Sequence, residues 1–169
     1  MRGVLVEEWT EFEKLELAEC SRPVLQPRQV RIRTQAAGVS FAASLVVSGK
    51  YQRKPPLPFV PGSEIAGIVT EVADSVTRFK VGDRVASVID WGGLAEETPA
   101  FEVNTFKIPD SLEFHKAICF TNSYGTSYAA LIWPHLLRVE AGQTLLVHGA
   151  AGGVGVAAVE IGKILGATV

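Results

Sequence analysis

The residues most plainly suited to chemistry lie near the end of the chain, in Gly149-Ala150-Ala151-Gly152-Gly153-Val154-Gly155. Glycines at this spacing, between an apolar run and an alanine-rich stretch, meet the needs of a bound diphosphate. The backbone must turn tightly and approach the anion closely, and the first amides of the following helix have no partner inside it. Against the strict G-x-G-x-x-G pattern the run reads Ala150-x-Gly152-x-x-Gly155, with alanine in the first position. Other reactive side chains form no constellation. The three histidines, His115, His135 and His148, show neither ligand nor triad spacing, and Cys20 and Cys119 lie far apart with no C-x-x-C pair. His148, just before the glycines, is read as a solvated or capped imidazole in preference to a cofactor contact, and the cysteines as two thiols in a reducing compartment in preference to a single disulfide.

The elements that would position this turn are legible around it. Gln143 to His148 is apolar without alternation, as in a strand buried on both faces. After the glycines, Val154, Ala157, Ala158, Ile161 and Leu165 are spaced for one apolar face of a helix, with Gly166 as its stop. Ala167-Thr168-Val169 opens a second strand. Strand, glycine turn, helix and strand make the first βαβ unit of a dinucleotide-binding fold. Residues 112–137 read as helical, broken near Gly125. The first 110 or so residues differ. Val4 and Val6, Leu15 and Leu17, Val30 to Thr34, Gly62 to Asp74 and Val85 to Ile89 read as short strands, separated by Pro27, Pro55-Pro56-Leu57-Pro58, Gly82-Asp83 and Gly92-Gly93. Such a pattern predicts a β-barrel or sandwich. The three tryptophans, Trp9, Trp91 and Trp133, read as packing residues.

Composition narrows the partners. Sixteen basic residues against 18 acidic ones leave a net charge of −2, so nothing favours nucleic acid or an anionic membrane. No apolar run reaches the roughly 18 residues of a spanning helix, and the N-terminus turns acidic too early for a signal peptide, so a cytoplasmic protein without membrane insertion is expected.

Four stretches, in order and over nearly the whole chain, resemble the zinc-independent quinone-oxidoreductase (zeta-crystallin-like) branch of the medium-chain dehydrogenase/reductases. They are Ala36-Ala37-Gly38-Val39 with Ser48-Gly49-Lys50-Tyr51; Pro61 to Gly67; Phe79-Lys80-Val81-Gly82-Asp83-Arg84-Val85; and Gly149 to Gly155. The resemblance implies a β-rich GroES-like barrel over residues 1–121 and the beginning of an α/β Rossmann dinucleotide-binding domain over 122–169, incomplete here. It also implies an active-site cleft between them and more chain after Val169.

The resemblance also assigns residues. Tyr51 corresponds to a tyrosine that related enoyl-thioester reductases place near the substrate carbonyl, where a neutral phenol can donate to a developing oxyanion; the alternative is a tyrosine lining the barrel mouth. Thr126 corresponds to the family's threonine beside the nicotinamide, with a helix cap as the rival reading. Ser40 stands where a cleft asparagine is frequent. Cofactor contacts are therefore expected from Ser40, Thr126, Gly149, Ala150, Ala151, Gly152, Gly153, Val154 and Gly155. The family's alcohol dehydrogenases place a zinc-binding cysteine and histidine where this chain has Ser40 and Ser63. Hydroxyls are not usual zinc ligands, so no metal is expected, and Glu64 reads as a structural residue. The family's Asn-x-x-Asp is replaced by Ser40-Phe41-Ala42-Ala43.

The expected protein reduces a quinone or another α,β-unsaturated carbonyl with NAD(P)H. NADP is the assigned cofactor and NAD remains open, because the residue that distinguishes them falls about 20 positions past the turn. The expected partners are a small-molecule quinone or enone and, for assembly, further copies of the chain. Two other readings stand beside this one: a 2-enoyl-thioester reductase, and a nucleotide-independent binding protein or inactive fragment.

Overall fold

A computed structural model describes residues 1–169, which divide into two compact units, Met1–Ile118 and Cys119–Val169. The first unit is built on a five-stranded antiparallel sheet: β3 (Gln29–Ala37), β4 (Glu64–Val72), β5 (Arg84–Val88), β6 (Glu97–Phe101) and β7 (Thr105–Lys107). Their order in space is β6-β3-β4-β5-β7. Two short strands, β1 (Arg2–Val4) and β2 (Leu17–Glu19), pair separately. This is one antiparallel sheet curled into half a barrel, in keeping with the barrel or sandwich that the strand-and-turn pattern predicts.

Alternation explains the core. Val30 and Ile32 of β3 and Ile65 and Val69 of β4 are completely buried and meet Val85, Phe79 and Ala100. The other face of β3 is also covered. Arg31 is buried, its Nε donating to Glu71 at 2.9 Å and its Nη1 to the Pro23 carbonyl at 2.9 Å, while Arg22 pairs with Glu97. A guanidinium between two carboxylate-bearing strands needs such partners to leave water. A second cluster of Val6, Val47 and Phe59 holds α1 (Phe41–Val47), and Trp91 packs beside it. On a face of alanines, Ala66 and Ala86 meet Ala117 of α2 (Phe114–Cys119), which small side chains allow to approach closely.

Several local expectations need correction. Val4 and Val6 do not share a strand: β1 ends at Val4, and Val6 makes an isolated bridge to Phe59. Leu15 closes a 3₁₀ turn rather than entering β2, and Leu17 points to solvent. Trp133 is exposed rather than packed.

In the second unit a wide π turn (Phe120–Tyr124) leads into α3 (Gly125–Ile132), and α4 (Gly153–Ile164) packs on α3; Leu131 of α3 and Ala157 and Ile161 of α4 are buried. Gly125 does not break the helix. Its amide reaches the Phe120 carbonyl five residues back, so the extra residue is absorbed in the turn and the helix continues. Gly166, at φ 82°, ends the last helix as expected. Gln143 to His148 is not a strand buried on both faces. It makes a single parallel bridge, Thr144 to Thr168, and Leu146 is 78% exposed. A strand is defined by its neighbours, and within this unit only residues 167–169 lie beside it. Val154 likewise falls off the buried face of α4; Gly155 and Gly162 lie on it instead.

Candidate functional site

In the second unit the glycine run makes a tight turn into the start of α4. Gly149 takes a left-handed conformation, φ 66°, which lets the backbone reverse after His148. The Gly152 amide then returns to the Gly149 carbonyl at 3.0 Å. Gly152 is the N-cap of α4 and carries no side chain to cap it, and the first helical amide with a partner is that of Val156, on the Gly152 carbonyl at 2.8 Å. The amides of Gly153, Val154 and Gly155 therefore open the helix without acceptors, with the positive end of its dipole behind them.

The glycines differ in what they permit. A Cβ on Gly155 would lie 2.3 Å from the Gly149 carbonyl oxygen and 2.7 Å from the Ala150 Cα, so this position closes the turn against the helix. A Cβ on Gly152 would meet only the Gly149 oxygen, at an ordinary 3.5 Å. Protein sterics thus require glycine at 155 and leave 152 free; the bare backbone at 152 is what an approaching ligand would need.

Neighbouring side chains fix the turn. Ser127, buried in α3, donates its hydroxyl to the Val154 carbonyl at 2.7 Å. The π turn carries Ser123 against Gly153, where a Cβ would come within 2.8 Å of the Ser123 Oγ. Tyr124 donates to Glu160 of α4 at 2.5 Å, and this hydrogen bond to a carboxylate raises the tyrosine's pKa. Thr126 lies one residue before Ser127, but its hydroxyl is exposed and turned back to Asn122 at 3.5 Å. It is not a helix cap, because Tyr124 before it is already helical.

The other expected residues lie in the first unit, around α1. The Ala43 amide donates to the Ser40 side chain at 3.3 Å, so Ser40 caps this helix. At the far end the Tyr51 amide donates to the Leu45 carbonyl at 3.0 Å; Tyr51 is half-buried, and its hydroxyl makes no hydrogen bond within the chain. Ser63 stands just before β4, its carbonyl accepting from the Ile89 amide at 2.9 Å. Gly38 packs on Glu64, the first residue of β4.

Residues 26–110 match the alcohol dehydrogenase GroES-like domain. The chain is 41% identical to human quinone oxidoreductase over 169 residues, an alignment covering 98% of this chain and 50% of that protein. The chain belongs to the quinone-oxidoreductase branch of the medium-chain dehydrogenase/reductases. Among solved structures, the human synaptic vesicle membrane protein VAT-1 homolog-like protein superposes with a TM-score of 0.90 at 32% identity, over 98% of this chain and 53% of that one. Escherichia coli quinone oxidoreductase, solved as a complex with NADPH, superposes with a TM-score of 0.87 at 27% identity, over 99% and 51%. The chain spans about half the length of the curated relatives it matches.

Within this branch, the donor set at the catalytic-zinc positions is poor. Ser40 is engaged as a cap, and nowhere in the chain do three or more His, Cys, Asp or Glu side chains gather as a metal group. No helix is long and apolar enough to cross a membrane. The sequence reading missed Ser123, Ser127, Tyr124 and Glu160. Only Tyr124 and Ser127 had a signal, the stretch Tyr124-Gly125-Thr126-Ser127, in which the residue after the expected threonine is the one that faces the turn; Ser123 and Glu160 had none.

Proposed function

We propose that the protein is a zinc-free reductase that uses NADPH to reduce a quinone or another α,β-unsaturated carbonyl. The observation that carries this is the cradle of three unpartnered amides at Gly153, Val154 and Gly155, faced by a glycine whose missing side chain the fold itself does not require. Membership in the quinone-oxidoreductase branch and the NADPH in the Escherichia coli neighbour support it.

NADPH, when bound, supplies the hydride. The amides after Gly152 would hold its diphosphate, and Ser127 keeps that turn rigid by holding the Val154 carbonyl. Thr126 and Ser40 complete the proposed cofactor contacts. As hydride reaches the β-carbon of the acceptor, negative charge develops on the conjugated oxygen. The Tyr51 hydroxyl, free of other partners, would donate to that oxygen. A donor held about 2.7–3.1 Å away lowers the barrier because it is already oriented when the charge appears. Zinc has no part in this reading, because serines stand at its expected ligand positions.

The test uses two variants with opposite expected effects. Gly152→Val should retain the fold, since its Cβ would make only an ordinary contact with the Gly149 oxygen at 3.5 Å, and abolish NADPH binding as followed by nicotinamide fluorescence. Tyr51→Phe should bind NADPH like the parent and lose ~100- to 1000-fold in turnover of an enone, with simple quinones affected less. Elemental analysis should find no stoichiometric zinc, and chelators should leave the rate unchanged. Parent-like NADPH affinity in Gly152→Val would remove the cradle from the mechanism; no fluorescence change in the parent with NADPH or NADH would favour a non-enzymatic binding protein.

A further inference from the structure

The loop that carries Tyr51 is held in an unusual way. Upstream it is well tied: the Lys50 and Tyr51 amides share the Leu45 carbonyl at 2.8 and 3.0 Å, and Gly49 turns at φ 67° against the face of Trp9. The next backbone hydrogen bond is made by the Phe59 amide, to Val6 at 3.0 Å. The seven residues between make none, and three of them, Pro55, Pro56 and Pro58, have no amide hydrogen to offer. Packing beneath this stretch is also incomplete. Pro56 and Pro58, together with Asp90 and Trp91, line a cavity of about 570 Å³ in the first unit.

One polar tie crosses the gap. Arg53 makes a two-pronged ion pair with Asp90, Nη1 to Oδ1 at 2.7 Å and Nη2 to Oδ2 at 3.1 Å. Its guanidinium also lies 6.0 Å from the centre of the Trp91 ring. Asp90 and Trp91 follow β5 after one residue, Ile89, whose amide donates to the Ser63 carbonyl and anchors the segment to the start of β4. A fork of this kind fixes orientation as well as distance, which a lysine's point charge would not.

We propose that Arg53 and Asp90 are positioning residues: a strap that fastens the Tyr51 loop to the end of β5 and holds the phenol where it can donate. This rests on the reading of Tyr51 as the hydrogen-bond donor to the developing oxyanion. Both partners are well exposed, with 67% and 56% of their side-chain surface in solvent, so the strap is weak and salt-sensitive, and its effect is on loop order rather than on folding.

The experiment measures amide hydrogen exchange across residues 50–54 alongside enone turnover, in the parent, Arg53→Ala, Arg53→Lys, Tyr51→Phe and the swapped pair Arg53→Asp/Asp90→Arg. Arg53→Ala should speed exchange of the Lys50 and Tyr51 amides about two- to fivefold, the range expected for an exposed ion pair, and leave β4 amides unchanged. Arg53→Lys should fall between, and the swapped pair should return toward the parent. Enone kcat should fall by the same factor in Arg53→Ala while the NADPH Kd holds. High salt should move the parent toward Arg53→Ala and leave that variant where it is. Parent-like exchange in Arg53→Ala, or a swapped pair no better than Arg53→Ala, overturns the strap. Tyr51→Phe separates the two claims: an enone rate equal to the parent's removes the reading on which the strap depends, whereas a slow Tyr51→Phe beside a parent-like Arg53→Ala overturns the strap alone.

Discussion

The two units solve the problem of unpaired backbone in opposite ways. In the barrel unit every central strand has a neighbour on each side, Ile32 and Ile65 are sealed from water, and even the buried Arg31 has its acceptors. In the second unit the residues before the glycine turn make one bridge, Leu146 and Ile164 face solvent, and three amides at the start of α4 point at nothing in the chain. The central sheet of the first unit is closed by its own strands. The second unit keeps donors in reserve, which is what a site for an anionic cofactor requires.

The sharpest way to break the comparison is to damage each unit at its most constrained position. Ile32→Ala in the sealed core should cost the barrel unit about 2–5 kcal/mol, measured by denaturant unfolding. Amide exchange within residues 119–169 should be unchanged if the units are separately stabilised. Gly155→Ala should do the converse at a smaller cost of about 1–3 kcal/mol. Its Cβ meets backbone rather than a flexible side chain, so the turn must shift and NADPH affinity should fall with stability. A Gly155→Ala protein that binds NADPH like the parent would show that the turn tolerates rearrangement.

How much of this was legible in the sequence follows from range. Val30 to Thr34 and the glycine turn are set by local alternation and by backbone geometry, and both lie where the pattern puts them. Alternation in Val30 to Thr34 puts Arg31 on the face opposite Val30 and Ile32, but that this face is covered follows only from the tertiary approach of Pro23 and Glu71. Gln143 to His148 carried the composition of a doubly covered strand, but pairing depends on neighbours that no local pattern contains. The π turn was invisible for a similar reason. Its extra residue is registered by the contacts of Ser123 and Tyr124 with α4, not by any residue type within it.

Two finer tests sharpen the contrast. Ser127→Ala leaves the Val154 carbonyl without its donor and should cost about 1 kcal/mol. Because the turn loses rigidity, NADPH should be released faster while the rate of capture changes little, as stopped-flow fluorescence can resolve. The smallest expected effect is on pH. In the barrel unit, hydrogen bonds from Lys107 to Asp83 and from Arg31 to Glu71 hold both carboxyls below their ordinary range. Groups depressed in the folded state contribute stability that is present above about pH 4 and is lost as pH falls through their folded values. In the second unit the Tyr124 phenol is raised by Glu160, so its contribution is present at neutral pH and lost at high pH, as the hydroxyl ionises beside the carboxylate. Acid should therefore loosen residues 1–118 first, and alkali residues 119–169, by amide exchange at the two extremes. Loosening of both units together at either extreme would dissolve the distinction.

The cradle at Gly153 to Gly155 has a consequence for the laboratory as well as for the cofactor. Three free amides and a helix dipole amount to roughly half a positive charge presented without regard to what carries the negative one. Sulfate or inorganic phosphate fits that description as well as a dinucleotide does. If the turn holds the cofactor as proposed, phosphate from the buffer would compete for it, and the apparent affinity should weaken as buffer phosphate rises at constant ionic strength. In a buffer of bulky organic anions that cannot enter the turn, it should not.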